Sequence, residues 1–195
     1  MAAAETEPVT PKGRRTRGAL LDAGELVADR RGLAGLSVAA VVERAGVAKG
    51  TFYVYFADRE VFVDALHQRF YARVSAAVSG AVEGLEPGRE LLLSAIEAYL
   101  DACLANRAVK ALVFDSRAQG SLTATMRKRE EMFALLARPS LAAMGIAPAP
   151  IAARLLVAMT SEAALIELEA GRGVPGARKT IRGFLDGPGE AATEE

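Results

Sequence analysis

Apolar residues recur along most of this chain at the three- and four-residue spacing of helices, and no alternating strand pattern interrupts them. Ala19, Leu20, Ala23, Leu26 and Val27 predict a first helix from about Arg14 to Arg31, with Gly32 closing it. "GLAGLS" then predicts a loop ending in Ser37, an N-cap for a short helix Val38 to Ala45. Leu36 before the cap and Val41 four positions into the helix suit a hydrophobic staple. Gly46 allows the left-handed turn of a tight helix junction, and a second short helix is expected from about Lys49 to Tyr55. Asp58 caps a long helix to about Leu85, in which Phe62, Leu66, Phe70, Val74 and Val78 stack at four-residue spacing. Pro87-Gly88 breaks it, and further helices are expected at about 88–105, 107–118, 121–145, 149–171 and 175–186. Pro139 should kink or split the 121–145 segment near Arg138.

The pattern therefore predicts an all-α chain: a disordered arm over 1–12, an N-terminal domain over 13–66, a helical body over 67–187 and a polar tail over 188–195. Composition agrees, being rich in Ala, Leu, Arg and Glu, which are strong helix formers. No apolar leader precedes the first helix, and the most apolar segment is interrupted by Arg154, Glu162 and Glu167, so no membrane partner is expected and a cytoplasmic setting is. The single cysteine, Cys103, rules out an internal disulfide and a cysteine-based zinc site. With His67 as the one histidine and no carboxylate-rich cluster, no catalytic residue, metal ligand or cofactor site is expected. Cys103 is most simply a small buried filler, and His67 a surface or interhelix residue.

Charge changes the picture of the N-terminal part. The whole chain is formally neutral, yet Thr10 to Phe56 holds Lys12, Arg14, Arg15, Arg17, Arg30, Arg31, Arg44 and Lys49 against Asp22, Glu25, Asp29 and Glu43, a surplus of four positive charges. Such asymmetry is what a basic binding module on a more acidic body leaves in a sequence.

The stretch "AGVAKGTFYVYF", Ala45 to Phe56, places four of the eleven aromatic residues in five positions. Two turns of helix cannot point all four inward, so at least one tyrosine faces something other than the core. Short capped helix, glycine turn and second short helix form the helix-turn-helix arrangement. Val38, Val41, Val42 and Ala45 would brace the second helix. That helix is then free to enter a major groove with Lys49, Thr51 and Tyr53 as phosphate or base-edge partners. Phe52, Phe56 and Tyr55 are expected in the core.

Residues 14 to 66 resemble the DNA-binding domain of the tetracycline-repressor (TetR) family of bacterial transcriptional regulators. The family's run is close to T-V-x-x-I-A-x-x-A-G-V-S-x-G-T-x-Y-x-Y-F-x-x-K-E-x-L; here it stands as Ser37-Val38, Val41, Ala45-Gly46-Val47, Gly50-Thr51, Tyr53, Tyr55-Phe56 and Glu60. The resemblance implies DNA contacts from Ser37, Lys49, Gly50, Thr51, Tyr53 and Arg59, with Arg14 and Arg17 assisting from the basic N-terminal segment. Three positions depart from the pattern. Ala48 replaces a serine N-cap, Val54 a commonly polar residue, and Ala39 one that is often a base-reading arginine.

The resemblance further implies a C-terminal ligand-binding and dimerisation domain, and a homodimeric repressor of a pseudo-palindromic operator that a small hydrophobic ligand releases. An effector pocket would draw on Tyr99, Cys103, Phe114, Asp115, Arg117, Met126, Glu130 and Phe133. The dimer interface would draw on Leu155, Met159, Ala163, Ile166, Ile181 and Phe184. The three departures also leave open a small-molecule-binding helical protein whose DNA-reading function is weakened or lost.

Overall fold

The computed structural model describes residues 10–110 and 123–186, the side chains of 123–129 excepted. These residues hold eight labelled helices and no strand: α1 (Pro11–Gly35), α2 (Val38–Ala45), α3 (Lys49–Tyr55), α4 (Arg59–Ala81), α5 (Arg89–Ala105), α6 (Thr123–Ala143), α7 (Ala149–Ala170) and α8 (Pro175–Asp186). They fall into two compact units, one made of Met1–Ala72 with Asn106–Gly120, the other of Arg73–Ala105 with Ser121–Glu195. The division thus falls within α4, six residues beyond the expected boundary. The expected helix at 107–118 is described only as far as residue 110, and the tail lies outside the described residues.

In the first unit, helix ends follow local chemistry. The Thr10 hydroxyl accepts from the Gly13 backbone N–H at 3.1 Å, so α1 begins at Pro11 rather than Arg14 and takes in the last residues of the expected arm. Gly32, expected to close the helix, does interrupt it with φ 62° and ψ −169°, but a further helical stretch carries the chain to Gly35. The buried face of α1 is Leu20, Leu21, Ala23, Gly24, Val27 and Ala28. Ala19 and Leu26, expected to share it, are exposed. Helix α4 closes the unit with Phe62, Leu66 and Phe70, each at most 1% exposed. Arg69 donates from α4 to Glu25 at 2.9 Å and Asp22 at 2.8 Å on α1. His67 is buried in the same helix, not at the surface. From the returning segment, Val109 and Lys110 are buried and Arg107 pairs with Asp29 at 3.4 Å.

The second unit is built around small residues. Ala134 and Ala137 of α6 and Ala153, Ala163 and Ala164 of α7 are buried, and the two helices pack along their lengths. Leu92, Ile96, Leu100 and Cys103 of α5 and Ile181 and Leu185 of α8 complete the core. Helix α4 ends at Ala81 instead of Leu85, where Gly84 takes φ 77°. Pro139 does not split α6, which runs through it. At the α7–α8 junction Gly171 is left-handed with φ 65°, and Glu167, 2% exposed, accepts from both Arg178 Nε at 2.6 Å and Nη2 at 2.8 Å. Arg178 also reaches Asp101 at 2.7 Å and Glu97 at 3.2 Å on α5. That bidentate pairing holds the Glu167 carboxyl below its ordinary range despite burial, with the Val174 N–H assisting.

Candidate nucleic-acid interface

The Ser37 hydroxyl accepts from the Ala40 N–H at 3.2 Å and starts α2, whose inner side buries Ala40, Val41 and Val42. Leu36 and Val41, the expected staple pair, are each 1% exposed. Gly46 then turns the chain with φ 67° and ψ 32°, a conformation costly for any residue with a Cβ. Val47 N–H bonds back to the Val42 carbonyl at 3.1 Å, closing the turn.

Helix α3 is held by aromatic packing rather than by a cap. Ala48 stands at its N-cap with no side-chain bond. Phe52 and Phe56, one turn apart and fully buried, meet Phe62 of α4 with ring centroids 5.2 and 4.9 Å away. Arg17 of α1 lies over the Phe56 ring at 5.4 Å, and burial followed by the charge of Arg69 lowers its pKa below the ordinary arginine value. The Asp58 carboxylate accepts from the Val61 N–H at 2.8 Å and starts α4. Arg59, expected to face a phosphate, donates Nε to the Leu36 carbonyl and Nη2 to the Leu33 carbonyl, each at 2.6 Å. Two of its five N–H groups thus fasten α4 to the α1–α2 connection.

The aromatic cluster divides. The phenylalanines turn inward, Tyr55 is half-buried where full burial was expected, and Tyr53 leans edge-on against Phe52 while staying 48% exposed. Lys49 and Gly50 are exposed and Thr51 is half-buried, so α3 brings Lys49, Gly50, Thr51 and Tyr53 together outside the core. Ser37 and Arg14 are exposed, whereas Arg17 is half-buried on its ring. Val54 was not among the expected contacts, yet at 62% it is more exposed than Tyr53. The signal was available: it lies two residues from each core phenylalanine, half a helical turn away.

The residues assigned to an effector and a dimer fare unevenly. Tyr99 and Phe133 meet edge-on at 6.3 Å, Cys103 is 2% exposed, and Glu130 is half-buried. Phe114, Asp115 and Arg117 lie outside the described residues, as does the Met126 side chain. Leu155, Ile166 and Phe184 are 60%, 41% and 64% exposed, and Met159 is half-buried. Ala163 and Ile181, expected on the same face, are 3% and 4% exposed and pack inside the unit instead. Ile151, one turn before Leu155, is 58% exposed and was not among the expected interface residues. Among the described residues no group of acidic, histidine and cysteine side chains could hold a metal ion, and no helix is long and apolar enough to cross a membrane.

A capped brace helix, a left-handed glycine turn and a second helix with lysine, threonine and tyrosine outside its core define a helix-turn-helix DNA-binding transcriptional regulator. Residues 20–66 match the family described as bacterial regulatory proteins, tetR family, and that segment is a domain of this family. The fold extends the likeness over most of the chain. A TetR-like transcriptional regulator from Rhodococcus sp. RHA1 is 19% identical with a TM-score of 0.72, covering 86% of this chain and 91% of its own. A transcriptional regulator of the TerR/AcrR family from Aquifex aeolicus VF5 is 17% identical with a TM-score of 0.68, over 88% and 98%. The multidrug binding protein EbrR, solved with imidazole, is 20% identical with a TM-score of 0.66, over 85% and 92%. No curated protein sequence matches the chain.

Proposed function

We propose that the protein is a homodimeric, cytoplasmic repressor that binds a pseudo-palindromic operator through α3 and is released by a small hydrophobic ligand. The observation that carries the DNA contact is the division of the aromatic cluster. With Phe52 and Phe56 spent on the core, Lys49, Thr51 and Tyr53 are left outside α3. Ser37, Gly50 and Arg14 join them as backbone contacts, with Arg17 and the remaining N–H groups of Arg59 at the margin. The protein works by binding, without a cofactor and without catalysis. For the effector, the edge-on Tyr99–Phe133 pair and buried Cys103 supply an apolar aromatic lining. The likeness to a multidrug binding protein supports a small molecule there. A ligand that favours the state unable to bind DNA lowers operator affinity by shifting populations.

The test is selection of bound sequences from a random duplex library by the purified full chain. An enriched inverted repeat is expected, and Tyr53→Phe combined with Lys49→Ala should abolish its retention. Lys49→Ala alone should reduce the salt slope of binding by about one per half-site. Wild-type binding by the double variant would show that α3 is not the recognition helix. The uncapped Ala48 favours a second reading, a ligand-binding protein with a weakened DNA reader. Absence of any enriched sequence from a folded dimer at low salt would select it.

A further inference from the structure

We propose that Val54 is a specificity-determining residue that recognises the 5-methyl group of a thymine, and that Gly50 lets α3 come close enough for it to do so. The inference rests on α3 being the recognition helix.

Phe52 and Phe56 fix the inward side of α3, both fully buried. Gly50 and Val54 have the same four-residue separation and are offset from the phenylalanines by two residues, so they occupy the opposite side. Val54 is 62% exposed. A Cβ built at Gly50 would meet nothing within 4 Å, so the protein's own packing does not require glycine there. Lys49 and Tyr53 stand exposed beside this pair. Ala48, just before the helix, is exposed and has no polar atom in its side chain. The outermost side of the helix thus carries two methyl groups and a bare backbone, with its polar groups flanking.

Such a side cannot replace the hydrogen bonds that base-edge donors and acceptors make with water, and pressing it against them would leave those groups unpaired. The major-groove feature that it satisfies is the thymine C5-methyl group, the one apolar base-edge feature there. A glycine one turn earlier removes the side chain that would otherwise hold the helix away from the base pairs. Val54 then contributes apolar contact, with Lys49 and Tyr53 free to hold the phosphates on either side.

The experiment uses the full chain and an inverted repeat obtained by selection. Each thymine of one half-site is replaced in turn by deoxyuridine, which removes the methyl group and keeps every hydrogen-bonding atom. Wild-type protein should lose about fourfold in affinity at one thymine per half-site, the effect of burying one methyl group. Val54→Ala should bind the thymine operator more weakly by a similar factor and be indifferent to deoxyuridine at that position. Because Val54 is exposed, its thermal midpoint should match wild type. Gly50→Ala should fold at least as well as wild type and yet bind DNA more weakly.

Equal wild-type affinity for every deoxyuridine operator would overturn the proposal while leaving α3 as the recognition helix. Undiminished sensitivity of Val54→Ala would overturn it too, assigning the methyl contact to another residue. If no sequence is selected at all, the recognition-helix reading fails first and this inference falls with it.

Discussion

Gly24 of α1 faces Phe62 and Leu66 of α4. A Cβ there would stand 2.5 Å from Phe62 Cζ and 2.8 Å from Cε1, and Phe62 is itself held between Phe52 and Phe56. Helix propensity alone makes Gly24→Ala stabilising by ~1 kcal/mol. Steric overlap with a ring that has no room to move makes it destabilising by about 1–3 kcal/mol. We expect the second to win, so that the denaturant midpoint falls while the slope stays constant; a raised midpoint would mean that the ring can yield. Nothing in the sequence marks this glycine, because the reason for it sits in a helix nearly forty residues away. The division of phenylalanine from Tyr53, by contrast, was legible. It follows from the number of aromatics that two turns can bury, although Tyr55 turned out only half-buried. The bonds from Arg59 were not legible, because the carbonyls of Leu33 and Leu36 come within its reach only in the folded chain.

Helices α2, α3 and α8 begin and end where the sequence places them, because Ser37, Gly46 and Pro175 act within a turn of themselves. Helices whose limits depend on distant partners were less legible. The α1 periodicity is satisfied by two neighbouring faces, one through Ala19 and Leu26 and one through Leu21, Gly24 and Ala28, and only packing against α4 decides between them. Pro139 removes one N–H from the α6 ladder, but the carbonyl it orphans belongs to Leu135, a residue 53% exposed, where water can replace the lost bond. Helix α3 has the opposite weakness, a sound interior and an unsatisfied start. Ala48→Ser should supply the absent cap and raise unfolding free energy by ~1 kcal/mol in denaturant titration. If stability is unchanged, the Ala48 backbone does not hold a serine hydroxyl over the first turn.

At the scale of the molecule, the proposed binding of an inverted repeat requires two copies of α3, and an exposed apolar side of the second unit would serve for pairing. Ile151, Leu155, Ala158, Glu162 and Ile166 follow one side of α7 at spacings of four, three, four and four, and all are exposed. On α8, Phe184 is 64% exposed. The sequence could not separate this side from the inner one, because α7 carries small and apolar residues nearly all round and few polar positions mark an outside. Burial separates them: Ala163 and Ile181 belong to the core, Leu155 and Phe184 do not. Substitutions on the two sides should therefore fail differently. Leu155→Glu with Phe184→Glu should give a folded monomer by sedimentation, with wild-type helical content and operator affinity reduced by at least ~100-fold, since each half-site then binds without the effective concentration a dimer provides. Ala163→Glu should instead lower helical content and thermal midpoint, because it buries an unpaired carboxylate. A Leu155→Glu, Phe184→Glu protein that still sediments as a dimer would place the two-fold axis elsewhere, and the exposed side of α7 would then need a different partner.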